Sequence, residues 1–325
     1  MNPSTKVTYC IFCYNQSAYL EDAFRSAFAQ DYPNMEIIFS DDCSSDDSYV
    51  VAGTLARAYR GPHQVTVRQS VANRGVVDHI NDVAEIAAGD YLVITAADDV
   101  SAPTRTSRCL EALQSHNGSA AFCDGWDFAG VLDWEQFARM AGTGPKSAVL
   151  LDREAVFKVR GAVSAGALWV FRRDCFEAFG RMPATLMVED SILPARAAIL
   201  GRVLHLPQVL LARRAHPKSL SRTNEVHFSK NMGRLFQALL AHWECLRNDL
   251  AKAKSRGILD EEEEPHLLLL ASRCIEAELV RIPIRYHPES YGTFADGMRN
   301  FRLLLALGDW WAAGSYLKRR FLRRA

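Results

Sequence analysis

Short apolar runs alternate with amphipathic stretches along the first third of the chain. Val7 to Tyr14 is nearly continuous in apolar residues, the pattern of a strand covered on both faces. Leu20, Ala23, Phe24, Ala27 and Phe28 then recur at helical spacing, with Glu21 and Asp22 in the first turn, where a helix favours acids. Met35 to Ser40 predicts a second strand, Asp47 to Tyr59 a helix stopped by Gly61-Pro62, and Val65-Thr66-Val67 a third strand. After a turn at Asn73-Arg74-Gly75, the positions Val76, Val77, Ile80, Val83, Ala84 and Ala87 trace one face of a helix over Val76 to Ala88. Gly89 reads as that helix's stop, and the strand Tyr91 to Thr95 leads directly to Asp98 and Asp99. Strands and helices alternating at these lengths predict a parallel sheet with right-handed crossovers.

Beyond this region the pattern loosens. Ala120 to Cys123 and Ala167 to Phe171 read as strands, and Arg172-Arg173-Asp174 opens a short helix ended by Gly180. The segment Asp124 to Val163 shows no clear period. Ser191 to Leu200, closed by Gly201, reads as a helix with Asp190 placed to cap it. From Val226 onward the chain is helical in pattern. Phe228, Met232, Leu235, Leu239, Trp243, Leu246 and Leu250 form one stripe, and His266 to Ile282 form a second helix. A final stripe, Leu303, Leu307, Trp310, Gly314, Leu317 and Phe321, is followed closely by basic residues up to Arg324. Such a basic, Trp-bearing helix suits an anionic membrane surface, and equally suits packing on the protein's own helices.

Composition narrows the classes. A chain of 325 residues can bury a large core. Lys plus Arg and Asp plus Glu number 38 each, so no global field points to a nucleic-acid partner. The N-terminus lacks the apolar stretch of a signal peptide and no segment reaches membrane-spanning length, which predicts a cytoplasmic protein. The eight cysteines are scattered and read as free thiols; Cys10 and Cys13 fall in one strand on opposite faces, against a metal or redox pair. Asp260 to Glu264 reads as a solvated helix start before Pro265.

Adjacent carboxylates at Asp98 and Asp99 repel unless solvated, hydrogen bonded or neutralised by a cation. On their own they also fit a plain turn, with Ser101 or Thr104 opening the helix marked by Pro103. A second acidic loop, Asp41-Asp42-Cys43-Ser44-Ser45-Asp46-Asp47-Ser48, also follows a strand, so both loops belong at one edge of the sheet, where open α/β folds bind ligands.

The order Cys13-Tyr14-Asn15, Asp41-Asp42-Cys43-Ser44-Ser45-Asp46, Asn73-Arg74-Gly75 with Asn81, and Gly89-Asp90-Tyr91 running into Ala97-Asp98-Asp99 resembles the nucleotide-binding half of family 2 glycosyltransferases. The resemblance implies a GT-A fold, a Rossmann-like, mostly parallel sheet flanked by helices. It implies a catalytic domain over residues 1–225, with a nucleotide-sugar half 1–123 and an acceptor half 124–225, followed by an α-helical C-terminal region 226–325. It implies a donor nucleotide, UDP- or dTDP-linked, held by Tyr14, Asn15, Asp41, Asp42, Asn73, Asn81 and Asp99. Asp98 would hold Mn2+ or Mg2+, helped by His216. Val188-Glu189-Asp190 resembles the family's Glu-Asp motif, which makes Asp190 the base and Glu189 a contact to acceptor or diphosphate. Leu210 to Ser221 resembles the family's closing loop, which puts Arg213 and Arg214 over the diphosphate. The implied activity is inverting, metal-assisted transfer of a sugar to a glycan or lipid-linked glycan in bacterial surface polysaccharide assembly, at the inner face of the cell membrane. One departure is Ala96, which stands where the family's motif carries a first Asp. Two other readings fit parts of the pattern: a catalytically silent glycan-binding or scaffold protein, which Ala96 keeps open, and a nucleotidyltransferase, which would need a glycine-rich, basic loop where Tyr14-Asn15-Gln16-Ser17 stands.

Overall fold

A computed structural model describes residues 4–158, 166–190, 192–217, 219 and 232–273. The chain divides into two units, Met1–Val156 with Gly161–Pro217, and Phe157–Arg160 with Lys218–Ala325. The first unit is built on a nine-stranded sheet: β1 (Val7–Cys13), β2 (Met35–Asp41), β3 (Gln64–Gln69), β4 (Tyr91–Ala96), β5 (Val100–Ser101), β6 (Gly118–Ala129), β7 (Val149–Leu151), β8 (Trp169–Arg172) and β9 (Arg202–Ala215). The helices are α1 (Leu20–Phe28), α2 (Ser48–Ala58), α3 (Val76–Ile86), α4 (Arg105–His116), α5 (Trp134–Met140), α6 (Arg153–Lys158), α7 (Asp174–Glu177) and α8 (Leu193–Leu200). The strand order is β3-β2-β1-β4-β8-β6-β9-β5, with β7 on β9.

The expected parallel sheet holds for β3, β2, β1 and β4. Every residue of β2 is buried, and all of β1 except Phe12, as their apolar runs require. The second half is mixed: β8 is antiparallel to β4 and β6, β6 and β9 are parallel, and β5 and β7 run antiparallel to β9. Strand direction leaves no mark in a period-two pattern, so the sequence could not show this reversal. The segment after Cys123 also differs from expectation, because β6 continues to Ala129 through register shifts against β9. Its mixed composition, Asp124-Gly125-Trp126-Asp127, hides the strand.

Gly89 does not cap α3, which ends at Ile86 with extended backbone at Ala87. It is needed for a close approach. A Cβ on Gly89 would stand 2.3 Å from Thr8 N and 2.6 Å from Val7 C. The contact is stitched by Gly89 N donating to Thr8 Oγ1 (2.8 Å), Thr8 Oγ1 to Glu36 Oε1 (2.6 Å) and Ala88 N to the same Glu36 oxygen (2.7 Å). This sets the height at which β4 enters the sheet beside β1.

In the second unit, α9 (Met232–Ser255) buries Leu239, Leu246 and Leu250, while Trp243 is half-buried. It ends at Gly257, whose φ of 67° allows Ile258 N to reach Ala253 O at 2.9 Å. The acidic run does start a helix: Asp260 Oδ1 accepts from Glu262 N and Glu263 N, and residues 263–273 are helical. Phe228, the end of the expected second helix, and the stripe from Leu303 to Phe321 lie outside the described residues. Among the described residues no helix is long and apolar enough to cross a membrane.

Because the blocking atoms at Gly89 are backbone, Gly89→Ala is expected to cost roughly 1–3 kcal/mol of stability, read as a lower midpoint in urea unfolding. An unchanged midpoint would show that β1 and β4 can move apart freely.

Candidate active site

Parallel pairing aligns the ends of three strands, with Cys13 opposite Asp41 and Phe12 opposite Ala96. The loops carrying Asn15, Asp42 and Asp98 therefore leave from one edge. The chain order reverses on either side of β1, the arrangement that opens a crevice at the carboxyl ends of open α/β sheets.

The first two loops are interlocked. Asn15 and Cys43 adopt left-handed backbone, with φ of 54° and 61°. Asn15 N donates to Ser44 Oγ (2.7 Å), Ser17 N to Asp46 Oδ2 (3.0 Å), and Ser45 N back to Asn15 Oδ1 (2.8 Å). Asp41 is fully buried and accepts from Ser44 N (2.9 Å), Ser44 Oγ and Gln69 Nε2 (2.8 Å). Asp42 accepts from Arg74 N (3.0 Å) and Gly75 N (2.9 Å), and Asn73 Oδ1 from Gly75 N (3.1 Å). These acids build the rim of the crevice. Tyr14, just past the end of β1, is 49% exposed. Asn81 is elsewhere. Its amide Nδ2 donates to Met182 O (2.8 Å) and its Oδ1 accepts from Met182 N (3.0 Å), so this buried side chain is committed to the backbone that leads toward Glu189.

Asp98 and Asp99 are both buried beside the end of β9, brought there by β5, whose Val100 and Ser101 pair with Ala212 and Leu211. Asp98 Oδ2 lies 2.8 Å from His216 Nε2. Asp99 Oδ1 accepts from Arg214 N at 3.0 Å. Burial, and then repulsion from Asp98, push the Asp99 carboxyl well above the usual range, against the pull of the Arg214 N–H, Arg213 and Arg105.

The expected closing loop is a strand as far as Ala215, held by pairing with β6 and β5. That pairing directs the two arginines to acids of the protein. Arg213 forms a two-pronged pair with Asp127, at 2.7 and 2.9 Å. Arg214 is buried; it donates to Asp98 O (3.1 Å), Asp22 Oδ2 (2.7 Å) and Gly130 O, and its guanidinium lies over the rings of Tyr19 and Phe128. In this structure Arg213 and Arg214 are engaged with Asp127 and Asp22, where the sequence pattern implies contacts to a diphosphate. Tyr19 also lies against His216, with ring centroids 5.0 Å apart. Asp22 and Tyr19 are site-shaping residues that the sequence marks only as helix-start residues.

Glu189 is buried and Asp190 half-buried. Burial, reinforced by Asp190, pushes the Glu189 carboxyl up to about 8. A Cβ on Gly166 would stand 2.0 Å from Glu189 Oε1, so any larger residue there would have to displace the Glu189 carboxyl. Helix α8 starts at Leu193, with Ile192 at its N-cap and Pro194 in the first turn; Asp190 precedes that cap, and Ile192 N and Leu193 N donate to Glu189 O.

The family model for glycosyl transferase family 2 matches residues 8–179, which take in the Asp41–Asp42 and Asp98–Asp99 loops but not Glu189, Asp190 or β9. The chain belongs to this family. Among its relatives, EpsE of Bacillus subtilis, a protein named as a glycosyltransferase, is 29% identical over 116 residues, 36% of this chain and 41% of EpsE. Poly-beta-1,6-N-acetyl-D-glucosamine synthase of Staphylococcus epidermidis is 27% identical over 94 residues, 29% of this chain and 22% of that one. The chain spans about half the length of the first curated relatives it matches, 41% and 57%. Among solved structures, S. aureus TarS 1–349 in complex with UDP-GlcNAc has a TM-score of 0.60 at 15% identity, covering 98% of this chain and 82% of TarS. Mannosyltransferase PcManGT from Pyrobaculum calidifontis, in complex with GDP-Man and Mn2+, gives 0.55 at 17%, covering 99% and 89%. At these identities the structures establish the GT-A fold.

Glu189 supplies a pH test. Its folded-state pKa, about 8, lies above the usual 4.5, so the folded protein keeps a proton that the unfolded chain has released between those values. That contribution to stability is full below the lower value and is lost as pH rises through the upper one. The melting temperature of Glu189→Gln, relative to the parent, is therefore expected to climb as pH is raised across this window. A difference that stays flat would mean Glu189 is ionised in the folded protein.

Proposed function

We propose that this family 2 enzyme transfers a sugar with inversion from a UDP- or dTDP-linked donor to a glycan or lipid-linked glycan, in bacterial surface polysaccharide assembly at the cytoplasmic face of the membrane. The observation that carries this reading is the Asp98–His216 pair, set at the carboxyl end of β4 beside the rim built by Asn15, Asp41 and Asp42. The complexes of TarS with UDP-GlcNAc and of PcManGT with GDP-Man and Mn2+ support the donor class, and the polysaccharide synthase supports the setting. We assign catalysis to residues 1–225, with the donor on 1–123 and the acceptor on 124–225.

The donor set fits a divalent cation. Among the described residues no cluster of three His, Cys, Asp or Glu side chains is placed to hold a metal. One carboxylate and one imidazole, with substrate phosphates completing the shell, is a pattern suited to Mg2+ or Mn2+. When bound, the ion supplies Lewis-acid stabilisation of the departing diphosphate. Asp98 and His216 would hold it, and Asp99, fixed by the Arg214 N–H, orients the loop. Asp190 takes the proton from the acceptor hydroxyl as that oxygen attacks the anomeric carbon from the side opposite the diphosphate, which inverts the centre. Glu189, kept protonated beside it at neutral pH, adds no second charge next to Asp190. Tyr14 and Asn73 are the rim residues assigned to meet the nucleoside.

Two substitutions separate the roles. Asp98→Ala is expected to abolish Mn2+-dependent binding of UDP in calorimetry while leaving the circular dichroism spectrum intact. Asp190→Asn should retain that binding, with transfer reduced about a hundredfold or more. Undiminished UDP binding in the first variant, or near-normal transfer in the second, would overturn the respective assignment.

A further inference from the structure

Strands β4 and β8 are paired only from Tyr91 opposite Arg172 to Val93 opposite Val170. Beyond that point they part. β4 continues to Asp98, whereas β8 is entered from the Gly166–Leu168 turn, against which Glu189 lies. One guanidinium fills the gap. Arg105, the first residue of α4, has 0% exposure. On the β4 side its Nη2 donates to Ile94 O (3.0 Å), and its Nη1 to Thr95 Oγ1 (2.9 Å) and Ser101 Oγ (3.0 Å). On the other side Nη2 donates to Ala167 O (2.6 Å) and Trp169 O (3.5 Å). The Cys123 thiol, made more acidic by Cys109 and Arg105, is its other neighbour. Among the described residues no carboxylate pairs with Arg105, and its Nε has no partner.

A buried cation with no carboxylate at ion-pair distance, Asp99 acting on it only from further off, is costly, so a plain filler would be apolar. What the gap requires is a flat group with donors on several edges, because strand carbonyls that have lost their ladder partners face it from two sides. Guanidinium meets that need: its two Nη atoms serve five acceptors across both walls, whereas an ammonium has only three N–H donors to share among them. We propose that Arg105 is a positioning residue, a wedge that sets the width of the cleft between the Asp98–Asp99 loop and the Glu189–Asp190 segment. The consequence for catalysis rests on the glycosyl-transfer reading above; the wedge itself does not.

The test compares the parent with Arg105→Lys and Thr95→Val by amide hydrogen exchange, by UDP and Mn2+ calorimetry, and by turnover of a nucleotide sugar that the parent consumes. In Arg105→Lys, exchange is expected to quicken at residues 94–97 and 167–170 with β1 and β2 unchanged. UDP affinity should be little altered and the donor KM steady, while kcat falls about a hundredfold, the scale of a small misplacement of reacting groups. A retained kcat, or exchange that rises evenly over the whole sheet, would mark Arg105 as ordinary core and overturn the proposal. If Arg105→Lys does not fold, Thr95→Val decides: it removes an acceptor on one wall only, and faster exchange on the opposite wall, at 167–170, supports the wedge, whereas exchange confined to β4 refutes it. A parent that binds no UDP with Mn2+ would count against the donor assignment, and the exchange pattern would still decide the wedge.

Discussion

Two neighbouring carboxylates in a nearly dry loop repel, and burial with that repulsion pushes the Asp99 carboxyl up; much of the first unit is arranged to give each acid a partner. Asp98 has the His216 imidazole, and Asp99 has the Arg214 N–H. Both come from the end of β9, more than a hundred residues further along the chain. They arrive because β5, the two residues just past the acids, pairs with that strand. Arg214 then turns its side chain away from the acids' carboxylates and ties Asp22, Gly130 and the backbone of Asp98 together. The acid loop is thus held by strand pairing on one side and by a buried guanidinium network on the other, which is the preorganisation that transition-state stabilisation needs.

The rim follows a different logic. The acids of the second loop are spent on geometry, since Asp41 and Asp42 shape the turns that carry Ser44 and Arg74-Gly75. A loop rich in Asp and Ser can look like a ligand site and yet be mostly self-satisfied. It leaves a fixed surface at the rim beside Tyr14 and Asn73. Across the cleft, Glu189 rests on Gly166 while Asn81 pins Met182, so the approach to Asp190 is anchored at two places.

The N-terminal half of the fold was legible because burial on both faces writes itself as apolar runs: β1, β2 and β4 and the helices α1 and α3 lie where the periodicity puts them. The acids at strand ends were legible for the same reason. The reversal at β8, the length of β6 and the strand nature of Leu210–Ala215 were not, because they depend on partners distant in sequence. Arg213 and Arg214 read as cations of a closing loop, and only the ladder with β6 shows that they meet Asp127 and Asp22. Arg105 and Asp22 carried no signal beyond their places at helix starts, and Gly89 carried the right importance for the wrong reason.

The most direct test of the account is anomalous diffraction from crystals grown with UDP and Mn2+. The account predicts a manganese peak within bonding distance of both an Asp98 carboxylate oxygen and His216 Nε2, with the diphosphate on its open side and the Asp99–Arg214 contact unchanged. A nucleotide bound at the β1–β4 edge with manganese elsewhere, or with Asp98 and His216 still joined to each other and no metal between them, would contradict it.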